Sequence, residues 1–357
     1  MRIISAKMIT CLSVIAFYGM TLTAQAEIPD IDSSQWKADP VKYGMTAKEF
    51  IQAESRAFIA NFIGRNGINQ WFHFQALANK DDKWVVSPNN DTIYSMAGVN
   101  VTDGFTLIIP DVGKRFVSIQ IIDENHMTPF YLYGGGTYKF TRDQFESDYI
   151  GIGVRMGTDG TPEDVRHIVE DLQPQYKILN ASPADNMKRT DTEKMLKVRK
   201  AMIAEYDELS DTFGVMVERT SKVKDWEKFT YATAGAWGLS PDHTAMYMPY
   251  ALDGVKGGKC YTATYPAVPA NAFWSITVYG TDKFLMADHD NIVSSNQKAI
   301  VNADGSFTVV YGNMDCKIKG KNFLYTPNDN WSLLIRAYKP NVEKFKVYSV
   351  PEIKEVI

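Results

Sequence analysis

The chain has 357 residues and a formal net charge of −4, with 12% aromatic residues, 24 glycines and 15 prolines. This mildly acidic balance argues against nucleic acid and anionic membranes as partners, because both attract basic surfaces. The length allows two domains of ordinary size, at roughly 150 residues each, and the composition favours short strands joined by turns.

The first 26 residues have the pattern of a secretory signal peptide. Arg2 and Lys7 precede an apolar stretch at 8–22, and Ala-Gln-Ala at 24–26 gives a small-x-small cleavage site. A membrane anchor would need a longer apolar segment, of about 20 residues, and no later segment is that apolar. We therefore expect a mature chain that begins at Glu27, is periplasmic or secreted, and has no transmembrane segment.

Helical and strand signals then alternate along the chain. Thr46 and Glu49 have the spacing of a capping box ahead of an apolar helical pattern that ends at glycines 64 and 67. The residues at 84–155 alternate with period two between closely spaced turns, which predicts short antiparallel strands. Helical patterns return at 162–172, at 190–209 with Thr190 and Glu193 as a second capping box, and around 225–229.

A second alternating region predicts strands at 273–279, 306–311 and 331–338. Inward alternation predicts that Trp274 and Trp331 are core residues. We expect a mainly β fold with a helical minority, in which two β-sandwich or jelly-roll-like domains are joined by a helical segment. The expected boundaries are 27–180 for the N-terminal domain, 181–236 for the connector and 237–357 for the C-terminal domain.

Cys260 and Cys316 are the cysteines that remain after processing. An oxidising compartment permits them to form a disulfide, but two separate thiols fit the sequence equally well. Their spacing is not that of a metal knuckle or a redox pair.

Motifs for nucleotide chemistry are lacking in the sequence. The segment at 254–260 has Cys260 where a phosphate loop needs Ser or Thr for magnesium. Gly151 and Gly153 lie in a strand-like context, and the residues that follow do not have the spacing of a dinucleotide site. We therefore expect no nucleotide cofactor.

Asp123 and His126 are the strongest candidates for a site. They stand three positions apart where an alternating strand ends. A carboxylate and an imidazole so placed can bind one divalent metal ion, or act as a general acid/base pair in which Asp123 fixes the imidazole tautomer. A polar turn between two strands explains the same residues equally well.

Further polar residues could complete this site. Asp91 is a third candidate catalytic residue, and His73, Tyr94 and Arg115 are candidates for substrate binding; with Arg155 they would supply a phenol and cations for an anionic substrate. Each has a structural alternative: Asp91 can cap a turn, His73 can be a hydrogen-bonded core histidine, and Arg115 can pair with Asp91 as scaffold.

Several motifs together resemble a known pair of domains. The segments at 87–94, Ser-Pro-Asn-Asn-Asp-Thr-Ile-Tyr, at 110–116 and at 120–126 resemble the domain of unknown function 1254. The segments at 273–279, 302–306, 330–331 and 336–340 resemble its usual C-terminal companion, the domain of unknown function 1214. The resemblance implies a β-rich, two-domain envelope protein, and it implies no established reaction.

Two hypotheses follow for the function. In the first, the protein is an exported enzyme that acts on a small molecule with a divalent metal in the N-terminal domain, at a pocket lined by His73, Tyr94 and Trp84. In the second, it is a non-catalytic envelope protein that binds a ligand or forms homo-oligomers. Clustering of His73, Asp91, Asp123 and His126 in one concave pocket favours the first hypothesis, and their dispersal favours the second.

Overall fold

A computed structural model describes residues 27–356. The predicted signal peptide at 1–26 lies outside the described residues. Among the residues described, 27% are in strands and 24% are in helices, which confirms the expected mainly β fold. In this part of the chain no helix combines the length and the apolar character needed to span a membrane.

The helices begin where capping side chains satisfy their first N–H groups. They are α1 (Ala47–Asn66), α2 (Pro162–His167, continued by a π-helical turn Ile168–Leu172), α3 (Thr192–Tyr206), α4 (Trp226–Gly235) and α5 (Val342–Lys346). The capping box of Thr46 and Glu49 at α1 is confirmed. The second predicted box is wrong, because Asp191 caps α3 by accepting from the N–H of Lys194.

The N-terminal half contains two facing sheets. Its strands are β1 (Phe72–His73), β2 (Thr92–Asn100), β3 (Phe105–Ile109), β4 (Val117–Asp123), β5 (Phe130–Tyr133), β6 (Gly136–Phe140), β7 (Tyr149–Gly157) and β8 (Lys177–Leu179). They pair antiparallel in the orders β1-β2-β7-β4-β5 and β6-β3-β8. One apolar core lies between the two sheets and includes Ile119, Ile152 and Leu107.

Helix α1 covers one end of the outer face of the larger sheet. A side chain at Gly98 of β2 would lie 2.5 Å from the side chain of Ile63, so helix and sheet touch directly there. Helices α3 and α4, in the predicted connector, pack on the other side of α1 through Phe50, Val198 and Tyr231. The rest of this outer face is left for other parts of the chain to cover.

The C-terminal half forms a second pair of sheets. Its strands are β9 (Ala245–Ala251), β10 (Tyr261–Tyr265), β11 (Ala270–Tyr279), β12 (Ile292–Ser294), β13 (Phe307–Gly312), β14 (Asn322–Tyr325), β15 (Ser332–Pro340) and β16 (Lys354–Glu355). The orders are β12-β11-β15-β9 and β14-β13-β10-β16, with β13 and β14 parallel. Trp274 and Trp331 lie in the core between these sheets, as predicted.

Cys260 and Cys316 form a disulfide, with their Cα atoms 5.4 Å apart. The sequence left this pairing open. Disulfides persist in oxidising compartments, so the bond is consistent with a protein outside the cytoplasm. The domain boundaries at 180 and 236 stay a prediction.

Candidate ligand-binding cavity

The motif at 87–91 forms part of the contact between the two halves of the chain. The carbonyl of Ser87 accepts a hydrogen bond from Arg336 of β15 at 2.7 Å. The carbonyl of Pro88 accepts one from the hydroxyl of Tyr279 of β11 at 2.8 Å. The N-terminal motif and the C-terminal motifs that carry the family resemblance therefore meet in one buried polar network.

Asp91 lies inside this interface. Its side chain is fully buried, and its Oδ2 accepts hydrogen bonds from Ser275 at 2.6 Å and from Tyr338 at 3.2 Å. Burial raises the pKa of Asp91, and the nearby charge of Arg336 opposes this shift. The side-chain hydrogen bonds of Asp91 are thus with the C-terminal half.

Asp123 holds the turn that follows β4. Its Oδ1 accepts from the backbone N–H groups of Asn125 and Met127, both at 2.9 Å, while its Oδ2 is buried without a partner. His126 takes a left-handed backbone conformation in this turn, with φ of 62°. The predicted location at the end of a strand is confirmed for both residues.

The two ring nitrogens of His126 are both occupied. Nε2 accepts from the backbone N–H of Gly238 at 3.0 Å, so the proton is on Nδ1, which donates to Thr233 at 2.9 Å. Burial lowers the pKa of His126 to about 3, so the ring is neutral. It lies parallel to the ring of Trp237, with centroids 5.6 Å apart, and helps to position that side chain.

The side chains of the proposed metal ligands Asp123 and His126 are not hydrogen-bonded to each other, and the tautomer of His126 is set by Gly238 and Thr233. The described residues contain no group of three or more His, Cys, Asp or Glu placed to hold a metal ion. To bind a metal, His126 would have to give up one of its two hydrogen bonds. The catalytic and metal roles of Asp123 and His126 stay a prediction.

His73 lies on the other face of the sheet from Tyr94. Its Nδ1 is 2.8 Å from the hydroxyl of Ser95, and its ring packs near Trp71 and Tyr176. Burial lowers the pKa of His73. Because successive side chains of a strand point to opposite faces, Tyr94 points away from His73.

Arg115 is held by a carboxylate other than Asp91. Its Nη1 donates to Asp164 and to the carbonyl of Gly157, both at 2.8 Å, and its Nη2 bonds the second oxygen of Asp164. These hydrogen bonds from Arg115 hold the pKa of Asp164 down at about 2. The expected pairing of Arg115 with Asp91 is therefore wrong, since Asp164 is the partner.

A cavity of about 200 Å³ lies between the outer face of the large N-terminal sheet and the C-terminal half. Tyr247 of β9 and Arg336 of β15 reach it from the C-terminal side. Its walls are mainly aromatic and apolar, and they include Phe58, Phe62, Phe74, Trp84, Met96 and Trp237. Trp84 and Tyr94 thus line a pocket as predicted, and His73 is not among the lining residues.

Glycines make room for this cavity in the middle of β7. Gly151, Gly153 and Arg155 alternate along the strand and share the outer face. A side chain added at Gly153 would meet no atom within 4 Å of its Cβ, so the space above this residue is open. Met96 and Gln120 flank Gly153 on the neighbouring strands.

Among the residues that the structure describes, Arg155 is one of the two arginines that line the cavity, with Arg336. Its Nε donates to the hydroxyl of Tyr94 at 3.2 Å and its Nη1 donates to Oε1 of Gln120 at 2.9 Å. Within the described residues it is in no ion pair, unlike Arg115 with Asp164. The sequence interpretation considered Arg155 only as a cation for an anionic substrate, and the pattern Gly-x-Gly-x-Arg in a strand was the signal that could have located it.

Asp123→Asn is expected to remove a pH dependence of stability. Burial raises the pKa of Asp123 to about 8 in the folded protein, from an ordinary value of 3.8. Between about pH 4 and about pH 8, Asp123 is protonated in the folded state and ionised in the unfolded state. The stability that the protonated carboxyl contributes is therefore complete below about pH 4. It falls as the pH rises, by up to about 1.4 kcal/mol per pH unit. Urea denaturation at about pH 5 and about pH 8 measures the difference.

The exposed Asp103→Asn is the matched control, and it should follow the parent protein at both pH values. Asparagine keeps the Oδ1 acceptor of Asp123, so the turn is retained. Parallel pH profiles of the parent and Asp123→Asn would contradict the assignment of a raised pKa to this residue.

Comparisons with known proteins identify two family models in the chain. Residues 68–146 match the family model described as protein of unknown function (DUF1254), and residues 245–342 match the one described as protein of unknown function (DUF1214). No curated protein matches the chain.

One solved structure has a similar fold. The VPA0106 protein from Vibrio parahaemolyticus is 15% identical, with a TM-score of 0.68, over 89% of this chain and 100% of its own. A putative uncharacterised protein from Burkholderia cenocepacia is 14% identical, with a TM-score of 0.49, over 87% of this chain and 86% of its own. The likeness to VPA0106 shows the fold alone. The two family models match in the order expected from the sequence, so the chain contains a DUF1254 region at residues 68–146 and a DUF1214 region at residues 245–342, both of unknown function.

Proposed function

We propose that this protein binds a small organic molecule with an apolar body in the cavity between its two halves. The observation that carries the proposal is the cavity itself, with a volume of about 200 Å³ and mainly aromatic walls. An apolar cavity of about 150 Å³ can hold benzene, so there is room for one substituted ring or a short aliphatic chain. Ligand sites occur preferentially at such domain interfaces.

The residues that carry the family resemblance support this proposal. Arg336, whose motif lies in β15, bonds the motif at 87–91 and also lines the cavity. Ser87, Pro88 and Asn89 line it from the N-terminal side. The motifs therefore close one end of the cavity while they join the two halves.

Binding without catalysis is favoured by the dispersal of the candidate catalytic residues. Asp91 bonds the C-terminal half, Asp123 holds its own turn, and His126 bonds α4 and Gly238. His73 lies on the opposite face of the sheet from the cavity. The enzyme hypothesis, with Asp91, Asp123 and His126 as catalytic residues, stays a prediction.

Gly153→Leu tests the proposal because it would fill the floor of the cavity. The added Cβ meets no atom within 4 Å, so the substitution should leave the fold intact. We expect octan-1-ol and benzyl alcohol to bind the parent protein and to lose at least about tenfold in affinity for the variant, measured by calorimetry. The tryptophan fluorescence of Trp84 and Trp237 offers a second readout.

Gly258→Leu is the matched control, because Gly258 is exposed and its Cβ would also meet open space. This variant should bind both alcohols as the parent does. Gly153→Ala gives a smaller change if the leucine disturbs β7. Equal affinities of the parent and the folded Gly153→Leu variant, or no binding by the parent, would overturn the proposal.

We also propose that this binding takes place outside the cytoplasm. The signal-peptide pattern at 1–26 and the disulfide between Cys260 and Cys316 support export. Assembly into a homo-oligomer stays a prediction, and sedimentation of the purified protein measures it.

A further inference from the structure

The polar end of the cavity presents hydrogen-bond donors. Nη2 of Arg155 makes no hydrogen bond to any of the described residues, and this atom is not fully buried in the wall of the cavity. The hydroxyl of Tyr94 accepts from Arg155, and its own hydrogen remains free to donate. Gln120 is fully engaged, since its Oε1 accepts from Arg155 and its Nε2 donates to the carbonyl of Leu239 at 2.7 Å.

The charge of Arg155 is not compensated by a carboxylate of the described residues. The groups it bonds, on Tyr94 and Gln120, are neutral oxygens. A cation held away from water is costly unless an anion accompanies it. The acidic side chain among the lining residues, Asp82, accepts from the N–H of Asn79 and has no ion pair with Arg155.

The other arginine that lines the cavity, Arg336, makes its hydrogen bonds at the interface between the two halves. Nη2 of Arg336 donates to the carbonyl of Ser87 and to the hydroxyl of Tyr279. Its charge acts on Asp91, which is fully buried beside it. Arg155 is therefore the arginine of the cavity that can form an ion pair with a negatively charged ligand.

We propose that the ligand is a small monocarboxylic acid whose carboxylate binds Nη2 of Arg155 and the hydroxyl of Tyr94. Its apolar body lies over Gly153, against the aromatic walls. This inference rests on the proposed function and adds the chemical class of the ligand. Nη2 of Arg155 and the hydroxyl of Tyr94 can each donate to one oxygen of a carboxylate, and hydrogen bonds to an ionised acceptor are stronger than those to a neutral one, which makes the head group the part that is recognised.

The test compares ligands that share one chain and differ in the head group. Octanoate, octanamide and octan-1-ol are titrated by calorimetry into the purified protein and into Arg155→Gln. We expect the parent to bind octanoate at least about tenfold more tightly than octanamide. The variant should lose that preference, through weaker binding of octanoate and with binding of octanamide changed by less than about threefold.

Arg166→Gln is the matched control, because Arg166 is exposed on α2; it should keep the parent's preference. Arg155→Lys keeps the charge but loses the planar guanidinium that also bonds Tyr94 and Gln120, so we expect it to retain part of the preference for octanoate. It also serves as the test variant if circular dichroism shows that Arg155→Gln does not fold.

The outcomes separate this inference from the proposed function. If the parent binds the alcohol and the amide as tightly as octanoate, or if Arg155→Gln keeps the preference, the carboxylate assignment is overturned and the binding function stands. Tighter binding of octyl phosphate than of octanoate would also overturn the assignment. If none of these ligands binds the parent, both proposals fail together.

Discussion

Trp331→Ala is expected to lower the free energy of unfolding by about 3–5 kcal/mol. The side chain is fully buried in the C-terminal core and stacks on Tyr311, with ring centroids 4.9 Å apart. Truncation removes this contact and leaves a cavity that the surrounding strands can only partly close. Urea denaturation followed by circular dichroism measures the change.

Tyr43→Ala is a suitable control for this prediction. Tyr43 is 43% exposed, so its truncation should change stability by less than about 0.5 kcal/mol. Because Trp331 directly precedes β15, which carries Arg336, loss of this packing should also weaken ligand binding. An unchanged unfolding midpoint for Trp331→Ala would show that the side chain is not part of a tightly packed core.

The elements themselves could be predicted from local patterns. Alternation with period two placed Trp274 and Trp331 on the inward faces of their strands, because side chains on a strand must alternate. The capping box at Thr46 could also be predicted from a local pattern, because Thr46 and Glu49, which form it, are only three positions apart. At α3 the neighbouring Asp191 took the role given to Thr190, and aspartate is the stronger N-cap residue.

The candidate site was predicted in part. Asp123 and His126 do lie where a strand ends, but spacing along the chain does not fix the direction of the side chains. The left-handed conformation of His126 accompanies a ring that bonds Gly238 and Thr233, more than 100 positions away. Contacts of this range depend on tertiary packing, which no local pattern encodes.

A pocket near Trp84 and Tyr94 was predicted, but it was expected to include His73, and the glycine floor of the cavity was not recognised. Gly151 and Gly153 were compared with the spacing of a dinucleotide site, whereas alternation in a strand places them on one face together with Arg155. This shared face of the strand could be predicted from the sequence. The residues that cover the face could not be predicted, because Tyr247 and Arg336 come from the other half of the chain.

Reduction of the disulfide is expected to lower the free energy of unfolding by about 4 kcal/mol. Cys260 and Cys316 are 56 positions apart, and the bond restricts the unfolded chain across that whole segment. A loss of this size is a large part of the roughly 5–15 kcal/mol that holds a typical protein folded. Urea denaturation with and without a phosphine reductant measures it, once free thiols are confirmed in the reduced sample.

The double variant Cys260→Ala with Cys316→Ala is the control, because its stability should not respond to the reductant. If the reduced parent unfolds at the same urea concentration as the oxidised parent, the bond contributes nothing to stability. The expected result also bears on location, since cytosolic reductants keep most thiols reduced. Protein made from Glu27 onward in a reducing cytoplasm should then be less stable than the exported form, and should regain the difference on oxidation.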